Sequence, residues 1–378
     1  MVNKPLVTIG ITVFNGASYI SRAIETAIDQ TYQQLEILIL DDASQDDTEA
    51  IIKRLSLKDL RVNYVRNNEN IGYARSLQKL AELAKGEYMQ LLGADDWLSK
   101  NYIRAALDEF DAHPNTACVA PEMVLLKDIG DNRFDFIHSF LPKKRLVTTS
   151  DYIKNIYKTA SVLPTLTAYA LFRKNDFLQS INFMNNAFAS SDIEIPIELR
   201  ELHLKGFATE TIFLLRIIYK YDYFIITDKV AYVKIEYTSQ DKKPYNSKGL
   251  DWVSADGILR WFYFTRIAYE YLFKTDYKKY YKKFHIYFLS ELFVTSAIVF
   301  IKIKQKRYFF NDLKGSEFKK YIKGYSMFEF VIAFLYMPVL FLRRLFSFID
   351  RISESNGRKN TMSRSDLFLD NDGFFNVG

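Results

Sequence analysis

The chain of 378 residues contains 49% hydrophobic and 25% charged residues, a balance typical of folded proteins that argues against intrinsic disorder. Its single cysteine, Cys118, excludes an internal disulfide framework and a cysteine-rich zinc site. The net charge of +6 is modest but uneven, because lysine accumulates after about residue 270 among tyrosine and phenylalanine.

Strand-like and helix-like patterns alternate along the N-terminal part of the chain. Four runs rich in apolar and β-branched residues predict strands: PLVTIGITVF, LEILILDD, VNYVRN and EYMQLLGADD. The segments between them have the spacing of amphipathic helices. Such short alternation is typical of a mainly parallel sheet with helices on its faces. The sequence therefore predicts an α/β, Rossmann-like domain.

A polar cluster follows each of the four predicted strands. In chain order the clusters read TVFNG, DDASQDD, NENIGYARS and GADDW. Ligands of parallel sheets bind beyond the carboxyl ends of the strands, so we expect the clusters to form one site. The last cluster contains Asp95 and Asp96, two adjacent carboxylates that repel each other unless water, a basic partner or a divalent cation neutralises them.

The pattern becomes less regular after the fourth strand. ACVAPEMVLL is a further strand candidate, and YFIITDKVAYVKI predicts a hairpin or a pair of short strands. Polar and turn residues cluster over residues 238–249, which marks a domain boundary. We therefore predict an α/β domain over residues 1–245, a helical, basic and aromatic domain over 246–352, and a flexible polar tail over 353–378.

Residues 5 to about 240 resemble the family 2 glycosyltransferases. The resemblance is carried, in order, by ITVFNG, LILDDASQDDT, NIGYARSLQ, KGEYMQLLGADDWL and TETIFLLRI. It implies the GT-A fold and the inverting transfer of a sugar from a nucleotide-activated donor to a hydroxyl. It also implies Mn²⁺ or Mg²⁺, because the charge that develops on the diphosphate leaving group needs a cation. Asp96 is the first candidate for metal ligand, and Asp95 either ligates too or contacts the donor sugar or ribose.

The resemblance also implies which residues bind the nucleotide. Asp42 matches the residue that accepts a hydrogen bond from the nucleobase, a role that suits the imide N–H of uracil. Asp41 is expected to orient its loop. Thr12 and Phe14 match positions that contact the base, and Asn15 shapes the turn that follows.

Two residues of the third cluster complete the expected donor site. Gly72 lets the backbone approach the nucleotide. Arg75 either faces the diphosphate or is a solvated helix residue. The expected donor is a UDP-sugar, and GDP and dTDP remain open as the nucleotide. The transferred group is expected to be a hexosyl or N-acetylhexosaminyl residue.

An inverting transfer needs one base that deprotonates the acceptor hydroxyl. The segment TETIFLLRI aligns with the family pattern E-D-x-x-L-x-x-R-L and places Glu210 at the base position, six residues before Arg216. The family usually has Asp at this position, so Glu210 differs from the pattern by one methylene. Asp192 and Glu194, in SSDIEIP, are the rival candidates.

Three further positions depart from the family pattern. Gly93 stands where another Asp is common, and the segment YVKIE places Lys234 and Glu236 where many relatives carry Y-R-x-H. The Q-x-x-R-W signature of processive synthases is missing, which implies the addition of one or a few sugars. These departures leave an alternative open: a non-catalytic GT-A-like protein that binds nucleotide or glycan, or that scaffolds partner enzymes.

The C-terminal region suggests a membrane surface. Its apolar run from Phe328 to Leu342 is short for a membrane span, which needs about 20 apolar residues. A helix lying in the interface fits better, with homo-oligomerisation or packing on the α/β domain as alternatives. No nucleic-acid motif accompanies the basic residues. The N-terminus reads as a strand and not as a signal peptide. We therefore expect a cytoplasmic enzyme, peripheral on the inner face of the cytoplasmic membrane, with a glycan or lipid-linked acceptor.

Overall fold

The structure is a computed structural model, which describes residues 4–130, 133–140, 146–148, 168–189, 216–217, 220–237 and 361–363. Within these ranges, eleven strands form one sheet, and helices pack on it. The predicted α/β class is confirmed.

The N-terminal half alternates strand and helix as the sequence predicts. Its elements are β1 (Val7–Val13), α1 (Ile20–Ile28), β2 (Leu35–Asp41), α2 (Thr48–Ser56), β3 (Val62–Arg66), α3 (Tyr73–Leu83) and β4 (Tyr88–Leu91). β1 pairs in parallel with β2 and β4, and β2 pairs in parallel with β3. Every residue of β2 is buried, as expected for a parallel strand that is covered on both faces. This order brings the carboxyl ends of β1 to β4 to one edge of the sheet.

The second half adds mostly antiparallel strands. Its elements are β5 (Trp97–Leu98), α4 (Tyr102–Ala112), β6 (Thr116–Gly130), β7 (Arg133–Phe140), β8 (Leu146–Thr148), β9 (Leu171–Arg173), α5 (Lys174–Ala189), β10 (Tyr223–Tyr237) and β11 (Thr361–Ser363). β9 lies between β4 and β6 and runs antiparallel to both. The parallel part of the described sheet thus consists of β1 to β4 and the pair of β6 with β10.

β10 is one strand of 15 residues and not the predicted hairpin or pair of short strands. It pairs with β6 in parallel, and register shifts between Ile226 and Val230 absorb the polar residues that interrupt its apolar pattern. Its second half also pairs antiparallel with β5, through Tyr232 and Val233. The strand is therefore held by partners distant in sequence, which a local pattern does not reveal.

A buried polar contact fixes β4 against β1. Glu36 accepts hydrogen bonds from the Thr8 hydroxyl at 2.6 Å and from the Lys85 N–H at 2.8 Å. The Gly86 N–H donates to the Thr8 hydroxyl oxygen at 2.9 Å. A Cβ at Gly86 would lie 2.5 Å from the Thr8 nitrogen, so only glycine permits this approach. The contact sets where β4 begins, and hence where its carboxyl end meets the site.

The described residues contain no helix that combines the length and the hydropathy needed to cross a membrane. The predicted helical region, 246–352, lies outside the described residues. Within the predicted tail, the three residues Thr361–Ser363 form β11, which pairs antiparallel with β7. The domain boundaries at residues 245 and 352 stay predictions.

Candidate functional site

A cavity of about 220 Å³ lies at the carboxyl ends of β1 to β4. All four polar clusters contribute to its wall, so the prediction that they converge is confirmed. The contributing polar and aromatic side chains include Thr12, Phe14, Asp42, Asn70, Asp95 and Asp96. The chain thus places acidic, polar and aromatic groups around one space, where parallel sheets bind ligands.

The loops after β1 and β2 are joined by hydrogen bonds. The Asn15 N–H donates to the Ser44 hydroxyl oxygen at 2.9 Å, and the Asn15 side-chain oxygen accepts from the Gln45 N–H at 2.8 Å. The Gly16 N–H donates to the Thr48 hydroxyl oxygen at 2.8 Å. Asn15 has a φ of 53°, a conformation that asparagine tolerates better than most residues. Asn15 therefore shapes the turn, and it is exposed and does not line the cavity.

Asp41 is fully buried and holds the loop after β2. One carboxylate oxygen accepts from the Ser44 N–H at 2.8 Å, and the other accepts from the Tyr64 hydroxyl at 2.8 Å and from Arg66 Nη1 at 3.0 Å. These three donors satisfy the carboxylate inside the protein. Asp41 therefore organises the loop and does not line the cavity.

Asp42 is the next residue, and it lines the cavity. Its Oδ1 accepts from Asn67 Nδ2 at 2.8 Å and from the Ile71 N–H at 2.9 Å, and its Oδ2 accepts from the Gly72 N–H at 2.9 Å. Lys79 Nζ donates to the Asn67 side-chain oxygen at 2.7 Å and so fixes the amide that faces Asp42. Gly72 has a φ of 84°, which favours glycine. Asp42 is thus a rigid hydrogen-bond acceptor.

The carboxylate pair after β4 divides into a buried and a half-buried member. Asp96 is 1% exposed and accepts from the Tyr232 hydroxyl at 2.8 Å and from the Ile235 N–H at 3.1 Å. Asp95 is half-buried. Burial, and then the charge of Asp96, raise the pKa of Asp95 to about 7, against the attraction of Lys234. Lys234 Nζ lies 3.8 Å from Asp96 Oδ2. The pair is therefore partly neutralised by a protein cation.

Gly93 lets the two carboxylates fold back on the backbone. A Cβ at this position would lie 2.5 Å from Asp96 Oδ2 and 3.2 Å from Asp95 Oδ1. The Gly93 N–H donates to the Tyr232 hydroxyl oxygen at 2.9 Å. A third acid at this position is thus incompatible with the arrangement that the chain adopts.

Two tyrosines lie next to the carboxylates, and the sequence motifs assign a role to neither of them. Tyr169 lines the cavity, and its ring lies 4.3 Å from the ring of Tyr232, at 33°. Lys234 Nζ donates to the Tyr169 hydroxyl oxygen at 2.6 Å. The position of Lys234 was visible from the Y-R-x-H alignment. Tyr232 begins the same segment, but an aromatic residue in a strand is usually a core residue, and Tyr169 lies in none of the motifs.

The donor set suits a hard divalent cation. Such ions are bound through one or two carboxylates together with phosphate oxygens and water. Asp95 and Asp96 both line the cavity, and two carboxylates would supply half of such a shell. Among the residues described, no three His, Cys, Asp or Glu side chains converge in a metal site. The carboxylates would therefore hold a cation together with a bound diphosphate.

The predicted site residues separate into three groups. Those at the cavity wall are Thr12, Phe14, Asp42, Asp95 and Asp96. Those outside the lining are Asn15, Asp41, Gly72 and Arg75. Arg75 is exposed on α3, so its contact with a diphosphate stays a prediction. The candidate bases, Glu210, Asp192 and Glu194, lie outside the described residues.

Comparison with known proteins shows similarity to glycosyltransferases. Residues 8–174 match the model of glycosyl transferase family 2. The chain is 36% identical over 115 residues to a chondroitin synthase of Escherichia coli. The aligned residues cover 30% of this chain and 17% of the synthase. It is 31% identical over 152 residues to the putative teichuronic acid biosynthesis glycosyltransferase TuaG of Bacillus subtilis. The aligned residues cover 40% of this chain and 58% of TuaG.

A third relative is an E. coli enzyme, the UDP-Glc:α-D-GlcNAc-diphosphoundecaprenol β-1,3-glucosyltransferase WfaP. It is 39% identical over 92 residues, which cover 24% of this chain and 36% of that protein. The chain thus spans less than two thirds of the length of each of these relatives.

Among solved structures, S. aureus TarS, residues 1–349 in complex with UDP, has a similar fold. The TM-score is 0.55 at 15% identity, and the match covers 98% of this chain and 99% of that chain. At this identity the similarity concerns the fold, and the expected GT-A fold is confirmed.

Proposed function

The chain carries a glycosyl transferase family 2 domain over residues 8–174, and from this premise we propose that it transfers a sugar from a UDP-sugar to a hydroxyl of a glycan or lipid-linked acceptor. The process would be the assembly of a bacterial-type surface polysaccharide. The observation that carries the proposal is that one cavity holds both the rigid acceptor Asp42 and the pair Asp95 and Asp96. A nucleoside diphosphate needs an acceptor for its base at one end and a cation site for its phosphates at the other.

Uracil is the base that we assign to the Asp42 end. Its imide N–H is a hydrogen-bond donor, and the Asp42 carboxylate is a fixed acceptor at the cavity wall. Phe14 lines the same cavity and offers a ring on which the base stacks. Two similar proteins support uracil as the base, since WfaP is named for UDP-Glc and TarS was crystallised with UDP.

The phosphates are assigned to the acidic end. Mn²⁺ or Mg²⁺, when held by Asp95 and Asp96, would neutralise charge on the diphosphate leaving group. Tyr232 and Ile235 orient Asp96 for that contact through two hydrogen bonds. Asp96→Asn tests the assignment: it should abolish sugar transfer and leave a folded protein, and retained turnover would contradict it.

Glu210 is proposed as the base that takes the proton of the acceptor hydroxyl, whose oxygen then attacks the anomeric carbon as the nucleoside diphosphate leaves. Its rivals are Asp192 and Glu194. The variants Glu210→Gln, Asp192→Asn and Glu194→Gln separate the three. The variant of the true base should lose transfer to the acceptor by about 100-fold or more while it still binds UDP.

The membrane-surface role of residues 246–352 is part of the same proposal. A basic and aromatic region near anionic lipid would hold the enzyme at the cytoplasmic face, close to a lipid-linked acceptor. Sedimentation of the full chain with anionic and with neutral vesicles tests it. Recovery of equal amounts of protein with anionic and with neutral vesicles would contradict electrostatic attachment. Size-exclusion chromatography tests the alternative, in which the region mediates self-association.

The first experiment measures nucleotide release by the purified chain from UDP-, GDP- and dTDP-sugars, with Mn²⁺ or with EDTA. We expect Mn²⁺-dependent release of UDP from one donor, with the rate increased by acceptor. UDP binding without turnover under any acceptor would support a non-catalytic nucleotide-binding protein. Failure to bind any nucleotide would contradict the proposal.

A further inference from the structure

Lys234 places a positive charge at the acidic end of the cavity. Its Nζ lies 3.8 Å from Asp96 Oδ2 and donates a hydrogen bond of 2.6 Å to the hydroxyl of Tyr169, which lines the cavity. Nζ also lies 4.9 Å from the centroid of the Tyr169 ring, within the range of a cation–π contact. The ammonium group is therefore held at the place where the phosphates of the donor are expected.

The side chain of Lys234 keeps capacity for a further contact. An ammonium has three N–H donors, and within the described residues Lys234 makes one hydrogen bond, to Tyr169. Its side chain is 38% exposed, although Asp96 beside it is 1% exposed. The Lys234 side chain is therefore accessible to solvent and lies beside two residues that line the cavity, Tyr169 and Asp96.

Electrostatics requires a cation at this place. Two adjacent carboxylates repel a diphosphate, and the repulsion is stronger in a partly buried site than in water. A lysine is a compact point charge that binds phosphate well. Lys234 and a divalent cation would act on the same carboxylates, Asp95 and Asp96, and on the same diphosphate.

We propose that Lys234 contacts the diphosphate of the nucleotide donor and supplies part of the positive charge that a divalent cation supplies there. Nucleoside diphosphate binding by this chain would then persist, in weakened form, without metal. The inference rests on the proposed function, because it requires that the cavity takes a nucleoside diphosphate.

The test compares UDP with uridine, which has the base and ribose but no phosphate. Isothermal titration calorimetry of the full chain measures both Kd values with excess EDTA and with saturating Mn²⁺. The variants are Lys234→Met, which removes the charge at similar length, and Lys234→Arg, which keeps it. The matched control is Lys58→Met, because Lys58 is exposed in the turn between α2 and β3, at the opposite edge of the sheet.

We expect Lys234→Met to weaken UDP binding in EDTA by about tenfold or more, the size of a lost charge-assisted hydrogen bond. Uridine binding should be unchanged, and Mn²⁺ should restore most of the UDP affinity. The dependence of UDP affinity on Mn²⁺ is therefore larger in this variant than in the wild type. Lys234→Arg should keep most of the affinity, and Lys58→Met should match the wild type.

Each other outcome rejects a defined statement. If wild type and Lys234→Met bind UDP equally in EDTA, Lys234 does not contact the diphosphate, although the proposed function stands. If Lys234→Met loses uridine as well as UDP, the lysine has a structural role only, and the inference is overturned. If the wild type binds neither UDP nor uridine under any condition, the proposed UDP-sugar function itself fails.

Discussion

The Tyr232 hydroxyl donates a hydrogen bond to Asp96 Oδ2 at 2.8 Å, between residues that are 136 positions apart. The same hydroxyl oxygen accepts a hydrogen bond from the Gly93 N–H at 2.9 Å. One buried hydroxyl thus links the loop after β4 to β10 and sets the direction of the Asp96 carboxylate. The acidic motif is a local sequence feature, but its orientation depends on a distant strand.

Tyr232→Phe tests this link, because it removes the hydroxyl and keeps the ring. The Gly93 N–H and Asp96 Oδ2 would each lose a partner, so we expect the free energy of unfolding to fall by about 1–3 kcal/mol. Mn²⁺-dependent UDP binding should weaken as well. Tyr32→Phe is the matched control, because the buried Tyr32 hydroxyl donates to the Pro5 carbonyl and not to the site. Equal UDP affinity in both variants would contradict the role of Tyr232.

Gly93→Ala should disturb the carboxylates through steric contact. The new Cβ would lie 2.5 Å from Asp96 Oδ2, so the carboxylate must move and weaken its bond with Tyr232. We expect a loss of about 1–3 kcal/mol in the free energy of unfolding, the usual cost of overpacking. Urea denaturation measures it. In combination with Tyr232→Phe the losses should be less than additive, since both act through Asp96; full additivity would mean that they act separately.

Asp42→Asn should weaken recognition of the base. Both Asp42 oxygens accept hydrogen bonds from N–H donors. The NH₂ group of the new asparagine must therefore face another donor, either the Gly72 N–H or the N–H groups of Asn67 and Ile71, and one of these hydrogen bonds is lost. We expect the affinities for UDP and for uridine to fall together by about tenfold, the size of one lost hydrogen bond to a charged group. Calorimetry with both ligands measures this. A loss confined to UDP would place Asp42 near the phosphates instead.

The raised pKa of Asp95 makes stability depend on pH. The folded state binds the proton of Asp95 more tightly than the unfolded state, whose aspartate has a pKa of about 4. The contribution of Asp95 to the free energy of unfolding is therefore fully present below about pH 4, and it is lost as the pH rises through about 7. Burial and the charge of Asp96 raise the pKa of Asp95, and the charge of Lys234 opposes them.

Asp95→Asn isolates that contribution, because it removes the titrating group and leaves Asp96 and Lys234 in place. In EDTA, the decrease in the free energy of unfolding from about pH 5 to about pH 8 should be larger for the wild type than for the variant. Urea denaturation at both pH values measures the difference. Parallel pH profiles would show that Asp95 titrates normally.

The sequence by itself determined the alternating elements from β1 to β4 and the edge at which their polar clusters meet. These features depend on short-range periodicity and on the geometry of parallel strands, which local residues specify. It also singled out Asp42, Asp95 and Asp96, which line the cavity: the adjacent acids after β4 are a local signal, and Asp42 followed from the family resemblance. Arg75 is exposed on α3, and both readings of this residue stay predictions.

Only the tertiary structure decided how the acidic end of the cavity is built. Tyr169 and Tyr232 reach it because β9 pairs with β4, and because β10 pairs with β5. Strand pairing between distant segments follows from the packing of the whole domain and leaves no periodic trace near either residue. The same packing turned a predicted hairpin into one strand, brought Lys234 to Asp96, and left room at position 93 for glycine alone.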